Sequence, residues 1–206
     1  DSLDMLSDNT IDSDVLVRIM AMSRTSSSLF KFLIRAVSSE KSNLTKLVRV
    51  VCSKDPSFFE DNEDVVTEAA AKMTELAETL SDDEEIRSEV LRQILCAPSV
   101  VFTKCASLLK SILNYSAQKL LLPVCFPIDD KKIERFGVVR GLRLLAASFL
   151  SSGMSLQANT SPLLLVSLQD SSPSVRRAAF LCVDALLNKN QDDTDEDEIF
   201  LFQHVF

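Results

Sequence analysis

Residues 161–187 constrain the fold of this chain more than any other stretch, because their sequence predicts two short helices joined by a tight turn. Pro162 falls where the first helix would begin, a position whose amide has no partner within the helix. Residues 170–173 are Asp-Ser-Ser-Pro, which is typical of a turn that also caps the following helix. Small and apolar residues then recur at the roughly 3.6-residue period of a helix with one buried face. They are Val175, Ala178, Ala179, Cys182, Ala185 and Leu186.

This pair of helices resembles a HEAT repeat, a unit whose helical pairs stack into a solenoid. The resemblance is carried by an early proline, a turn aspartate, a Val-Arg step and paired alanines. These residues are Pro162, Asp170, Val175, Arg176, Ala178, Ala179 and Leu186. The resemblance implies that Arg176 is a structural residue with Asp170 as its partner. Arg177 is turned from Arg176 by one helical step of about 100° and is therefore the candidate for an exposed contact.

The rest of the sequence predicts an all-α fold, an α-solenoid of irregular HEAT-like helical pairs. The chain has only 3 glycines, which disfavours an all-β fold rich in tight turns. Apolar residues at helical spacing predict helices over 11–22, 26–37, 42–52, 64–80, 82–97, 99–114 and 131–152. Ser81 and Glu84 fit a capping box that opens the helix over 82–97, whereas 115–130 is irregular. Gly137 and Gly141 lie one helical turn apart and predict close packing against a neighbouring helix.

The sequence divides into three predicted regions. Residues 1–187 form one HEAT-like array, whose best-defined repeat is 161–187. Residues 188–198 contain six acids and are predicted to be an acidic linker. Residues 199–206 are an apolar tail, predicted to start a further element. Because such a tail would be poorly soluble at a free end and the chain begins with aspartate, we expect both ends to be cuts through a longer polypeptide.

The charge distribution bears on whether the chain binds nucleic acid. The net charge is −8, whereas a protein that binds nucleic acid over its whole surface is usually basic. Basic residues nevertheless concentrate in 31–54 and 131–143. We expect any RNA contact to use these stretches, and the alternative is that they are solvated helix faces. The candidate contacts to a protein partner or RNA are Lys41, Lys46, Arg49, Lys131, Lys132, Arg135, Arg140 and Arg177.

The sequence predicts a protein that is not an enzyme and binds no cofactor, metal or small-molecule substrate. His204 is the only histidine, and it lies in the apolar tail, which is a poor place for a catalytic triad. The few glycines cannot supply a phosphate-binding loop. The five cysteines are scattered without a CxxC pair, so we expect buried free thiols in a reducing, intracellular compartment. No apolar run reaches the length of a membrane span, and we expect no membrane partner.

Residues 138–187 carry a closer resemblance. A Leu/Ala-rich helix ending in Phe-Leu-Ser-Ser at 149–152, a polar loop, Ser161-Pro162 and Val-Arg-Arg-Ala-Ala at 175–179 follow one another. This order is similar to the family of large HEAT-repeat scaffolds of the small-subunit processome, which act in ribosomal RNA transcription and processing. The resemblance implies a scaffold segment in the nucleolus that holds other assembly proteins. Any contact with RNA would then use the basic stretches.

A second function is left open by the sequence. HEAT or TOG-like modules also serve cytoskeletal and chromosome-organising complexes, and in this alternative we expect the chain to be cytoplasmic. TOG modules bind tubulin through residues in the turns of their helical pairs. Residues 170–174 contain no aromatic or basic residue of the kind that such a contact needs, which disfavours that alternative.

Overall fold

The computed structural model describes residues 12–22, 25–79, 83–113, 117–125, 133, 135–151 and 160–188, and every regular element in these ranges is an α-helix. The helices are α1 (Ser13–Ala21), α2 (Ser27–Ala36), α3 (Lys41–Ser53), α4 (Ser57–Glu60), α5 (Glu63–Glu78), α6 (Glu84–Leu95), α7 (Ser99–Lys104), α8 (Ala106–Leu113), α9 (Ala117–Cys125), α10 (Arg135–Ser151), α11 (Thr160–Leu168) and α12 (Pro173–Asn188). The all-α class predicted from the sequence is confirmed.

The chain forms two compact units. Unit 1 comprises Asp1–Asp82 and Pro98–Ser111, and unit 2 comprises Asp83–Ala97 and Ile112–Phe206. The division into an array over 1–187, a linker and an apolar tail stays a prediction.

Unit 1 is organised around α5, which packs against α2, α3, α4 and α7. One apolar face of α5 is almost completely removed from water, including Val66, Met73 and Leu76. The four-residue helix α4 follows the Asp-Pro break at 55–56 and presents two phenylalanines to α2. The ring of Phe59 lies edge-on to that of Phe30 at 6.4 Å, and the ring of Phe58 is 5.3 Å from Phe30. This aromatic cluster fills the space between α2 and the chain that follows α3.

Unit 2 is organised around α10, which packs against α6, α9 and α12. The two glycines of α10 allow this because each faces a thiol of a neighbouring segment. A Cβ at Gly141 would overlap Cys125 Sγ of α9, and a Cβ at Gly137 would come within 3.0 Å of Cys96 Sγ, just after α6. The close packing predicted from the spacing of these glycines is therefore confirmed.

Several boundaries differ from those predicted. Helix α6 begins at Glu84, not at 82, because Asp83 accepts a hydrogen bond from the Ile86 amide at 3.2 Å and so acts as the N-cap. Ser81, the predicted cap, lies outside the described residues. The helix expected over 99–114 is divided at Cys105 into α7 and α8.

Part of the irregular stretch 115–130 is helical. Helix α9 runs through Pro123, although proline removes a main-chain donor and crowds the preceding turn. Leu121 and Val124 of this helix are completely buried. Their burial offsets the cost of the proline, around which the sequence indicated only an irregular stretch.

None of the helices in the described ranges is long and apolar enough to cross a membrane.

Candidate functional site

Residues 161–187, the stretch that most constrains the fold, form α11, a short turn and α12. Helix α11 starts at Thr160, so Pro162 occupies its first turn, where a missing amide costs nothing; the Pro162 side chain itself lies outside the described part. The turn is held by Asp170, whose Oδ1 accepts a hydrogen bond from the Ser172 amide at 2.7 Å. This local bond fixes the direction in which α12 leaves the turn.

Arg176 reaches back from α12 to the same turn. Its Nη1 donates to the main-chain carbonyls of Asp170 at 2.7 Å and Ser171 at 3.0 Å. Asp170 is thus the partner of Arg176 through its carbonyl oxygen, while its carboxylate serves the turn. Arg135 of α10 also reaches this turn, and its Nη2 donates to Ser171 Oγ at 2.8 Å. The two arginines together connect the turn to both α12 and α10.

The inner face of α12 is built from small residues that let it approach α10 closely. Cys182 is completely buried, and its thiol donates to the carbonyl of Leu142 on α10 at 2.9 Å. Leu186 is half-buried. The other residues of this face are almost fully buried: Val175, Ala178, Ala179 and Ala185.

Arg140 also donates to main-chain carbonyls, at the C-terminal end of α6. Its Nη1 donates to the carbonyls of Leu95 at 2.9 Å and Ala97 at 2.6 Å, and its guanidinium lies 5.2 Å from the Phe136 ring centroid. The last carbonyls of a helix have no partner within it and carry partial negative charge, so a cation satisfies them well. Burial lowers the pKa of Arg140 from its ordinary value.

Lys54 repeats this arrangement in unit 1. The side chain is only 8% exposed, and its Nζ donates to the carbonyls of Met20 at 2.8 Å and Met22 at 2.6 Å, at the end of α1. The ammonium lies 5.0 Å from the Phe58 ring centroid and 5.5 Å from that of Phe30. Burial lowers the pKa of Lys54. Sequence reasoning counted Lys54 only as one more positive charge, because nothing local in the sequence marks it as the cap of a helix more than 30 residues away.

Comparison with known families decides what the α11–α12 pair is. The family model described as HEAT repeat matches residues 161–189. These residues are a HEAT repeat. The match confirms the HEAT-repeat resemblance of this segment, and together with the helical architecture it supports the solenoid-like fold class predicted from the sequence. No curated protein and no solved structure matches the chain.

Outside the HEAT repeat, many basic residues lie in ion pairs between helices. Two neighbouring ion pairs join α2 to α5. Lys31 pairs with Asp64, and Arg35 pairs with Glu68. A hydrogen bond from Lys31 holds the pKa of Asp64 below its ordinary value. Exposed pairs of this kind contribute little stability individually. They nevertheless leave this part of the basic stretch 31–54 electrically balanced.

Basic residues also pair with acidic residues at other helix contacts in each unit. Lys46 of α3 pairs with Asp14 of α1, and its hydrogen bond lowers the pKa of that carboxyl. Further pairs join Lys104 to Glu63 in unit 1 and Lys119 to Glu84 in unit 2.

The predicted contacts to a partner or RNA therefore have different surroundings. Lys46 is half-buried and forms an ion pair with Asp14. Arg140 is half-buried and donates to main-chain carbonyls. Lys41 begins α3, but its side chain lies outside the described part, as do Lys131 and Lys132. The exposed ones are Arg49, Arg135 and Arg177. That any of these residues contacts a partner stays a prediction.

Three of the five cysteines, Cys105, Cys125 and Cys182, are buried as the sequence predicted, whereas Cys52 and Cys96 are half-buried. Burial raises the pKa of Cys105 and of Cys182 to about 12, and it raises that of Cys125 as well. A thiol with so high a pKa carries almost no reactive thiolate near neutral pH. Within the described ranges, no group of three or more His, Cys, Asp or Glu residues is placed to hold a metal ion.

Proposed function

We propose that this chain is a non-catalytic scaffold segment that binds other proteins of a large assembly. The observation that carries the proposal is the HEAT repeat at 161–189, seated on α10 through the small residues of α12. Helical repeats of this kind bury their apolar faces against neighbouring repeats and use their remaining surface to bind macromolecules.

The surroundings of the basic residues favour protein partners over nucleic acid. A nucleic-acid site needs cations that can exchange their counterions for phosphates. Lys31, Arg35 and Lys46 already face carboxylates, and Lys54 and Arg140 face carbonyl groups. RNA contact through the remaining exposed arginines, such as Arg135 and Arg177, is the weaker alternative.

The proposed assembly is the one that matures the small ribosomal subunit. The support is the order of residues over 138–187, which is similar to the large HEAT-repeat scaffolds of the small-subunit processome. In that setting the chain would act in the nucleolus, as a scaffold in pre-ribosomal RNA processing. The competing proposal is a HEAT or TOG-like module of a cytoskeletal or chromosome-organising complex, whose turns would bind the partner.

Affinity capture of the full-length parent protein from cells, with and without nuclease, tests these proposals. Mass spectrometry should recover ribosome-assembly proteins in both conditions if the segment binds proteins directly. Loss of every partner after nuclease treatment would contradict direct protein binding. Recovery of tubulin or chromosome-organising subunits in place of assembly factors would refute the ribosomal assignment but keep the scaffold.

Two matched charge-reversal variants test whether the HEAT repeat itself contacts the partner. Arg177→Glu alters the exposed face of the HEAT repeat, and Arg18→Glu makes the same charge change on an exposed position of α1. If the repeat contacts the partner, only Arg177→Glu should reduce its recovery. Equal recovery with both variants would exclude Arg177 from the contact.

A further inference from the structure

The HEAT repeat has a second apolar surface that the described residues leave uncovered. On α11, Leu165 and Val166 are 59% and 63% exposed, and on α12, Phe180 and Leu181 are 62% and 45% exposed. We call these four side chains the outer apolar surface. They are distinct from the inner face of α12, whose small residues are buried against α10.

The sequence of α11 indicates that this exposure is unusual. Its last six residues, 163–168, are apolar except for one serine, whereas a surface helix normally alternates apolar and polar faces. Helices that are apolar on all sides are buried on all sides. Leu164 and Ser167 are buried, so the described part of the chain covers only one side of α11.

The same chain contains a segment suited to cover the other side. Residues 199–206 are Ile-Phe-Leu-Phe-Gln-His-Val-Phe, of which six are apolar. In a helix, Ile199, Phe202 and Phe206 would share one face at i, i+3 and i+7. We propose that residues 199–206 dock on the outer apolar surface of the HEAT repeat and close this side of the repeat within the same molecule.

The length of the intervening chain permits this contact. Ten residues, 189–198, separate the end of α12 from Ile199. Extended, they reach about 33 Å, at about 3.3 Å per residue. Phe180 lies eight residues before Asn188, or about 12 Å back along the helix. The tether is therefore long enough to return to the surface and short enough to give a high effective concentration.

The tether also favours a contact within one molecule over a contact between two copies. A second copy of the chain would bring the same segment to the same surface, but without the advantage of the tether.

Methyl NMR of the complete chain tests the proposal. The variant Phe202→Ser/Phe206→Ser should shift the methyl resonances of Leu165, Val166 and Leu181, because the aromatic rings that cover them are removed. The control Gln203→Ser should leave these resonances in place. The shifts should not depend on protein concentration. Methyl resonances that ignore the double variant, or that move when the wild-type protein is diluted, would overturn intramolecular docking.

Hydrogen exchange provides a second readout that does not depend on changing the segment. Amides of 199–206 in the complete chain should exchange at least about tenfold more slowly than in the isolated peptide 189–206. Leu165→Ser/Phe180→Ser changes only exposed side chains and should abolish this protection. Exchange at the peptide rate in the wild-type chain would overturn the proposal, as would protection that survives Leu165→Ser/Phe180→Ser.

Discussion

The contact between Gly141 of α10 and Cys125 of α9 makes a quantitative prediction. In Gly141→Ala, the new Cβ would overlap Cys125 Sγ, so one of the two helices has to move. Overpacking of this kind costs about 1–3 kcal/mol. The replacement also gains about 1 kcal/mol of helix propensity. We therefore expect Gly141→Ala to lower the free energy of unfolding by about 0–2 kcal/mol, with a central value of about 1 kcal/mol.

Removing the sulfur should reverse this effect. Cys125→Ala alone leaves a small cavity and should cost about 1 kcal/mol. In the double variant, the methyl group introduced at position 141 occupies the space left by Sγ, and stability should return close to that of the wild type. The two changes should thus be coupled by about 2 kcal/mol, with each variant rescuing the other. Urea unfolding followed by far-UV circular dichroism measures the stability of the wild type, the two single variants and the double variant.

Gly137→Ala is the matched control, because its Cβ would meet Ile133 Cγ1 at 2.9 Å and Cys96 Sγ at 3.0 Å, not Cys125. Its effect on stability should add to that of Cys125→Ala, with no rescue. If Gly141→Ala and Cys125→Ala prove additive within about 0.5 kcal/mol, the packing of α10 on α9 is not as described.

Three further predictions concern the charged and turn residues. Lys54→Met keeps the aliphatic length but removes the ammonium that donates to the Met20 and Met22 carbonyls at the end of α1, of which Met22 keeps its bonds from Thr25. Urea unfolding should show a loss of about 1–3 kcal/mol, and a change as small as that of exposed Arg18→Met would exclude the capping role. Asp170→Ala should cost about 1 kcal/mol by removing the bond to the Ser172 amide, and an unchanged thermal midpoint would refute the turn assignment. The carboxyls of Asp14 and Asp64 have pKa values below the ordinary 3.8, so the stability they contribute is complete above that pH and lost as the pH falls through the lowered values. Acid titration of Asp14→Asn/Asp64→Asn should therefore show a flatter decline below about pH 4 than the wild type, and identical curves would argue against both ion pairs.

The HEAT repeat is the part of the fold that the sequence predicted best. Its signals are local: a proline within the first turn, a turn aspartate and small residues at helical spacing all act within about 30 residues. Helix α9 could not be predicted in the same way. Pro123 is a valid breaking signal, and only the burial of Leu121 and Val124 in the folded unit shows why it is overridden.

The roles of the basic residues depend on tertiary structure and were outside the reach of sequence reasoning. A lysine at 54 or an arginine at 140 contributes one positive charge to any count, wherever its long side chain ends. The structure places both side chains on main-chain carbonyls at the end of another helix. Arg176 was assigned to Asp170 by resemblance, but its actual acceptors are carbonyl oxygens of the turn.

Among the residues that the structure describes in 31–54 and 131–143, most basic side chains serve the fold, which is the central claim. Each phosphate neutralised on binding RNA adds to the salt dependence of the binding constant. The exposed arginines described in the two stretches, apart from the paired Arg35, are Arg49, Arg135 and Arg143, so these stretches can engage about two or three phosphates.

The most direct test is therefore the affinity of the purified chain for a single-stranded RNA, measured by fluorescence anisotropy as a function of salt. We predict weak binding that falls by less than about 20-fold between about 50 and about 200 mM salt, as expected for about two or three phosphates. Tight binding that falls by about 1,000-fold over the same range would indicate about seven phosphate contacts. That result would contradict the claim and make the basic stretches a nucleic-acid site.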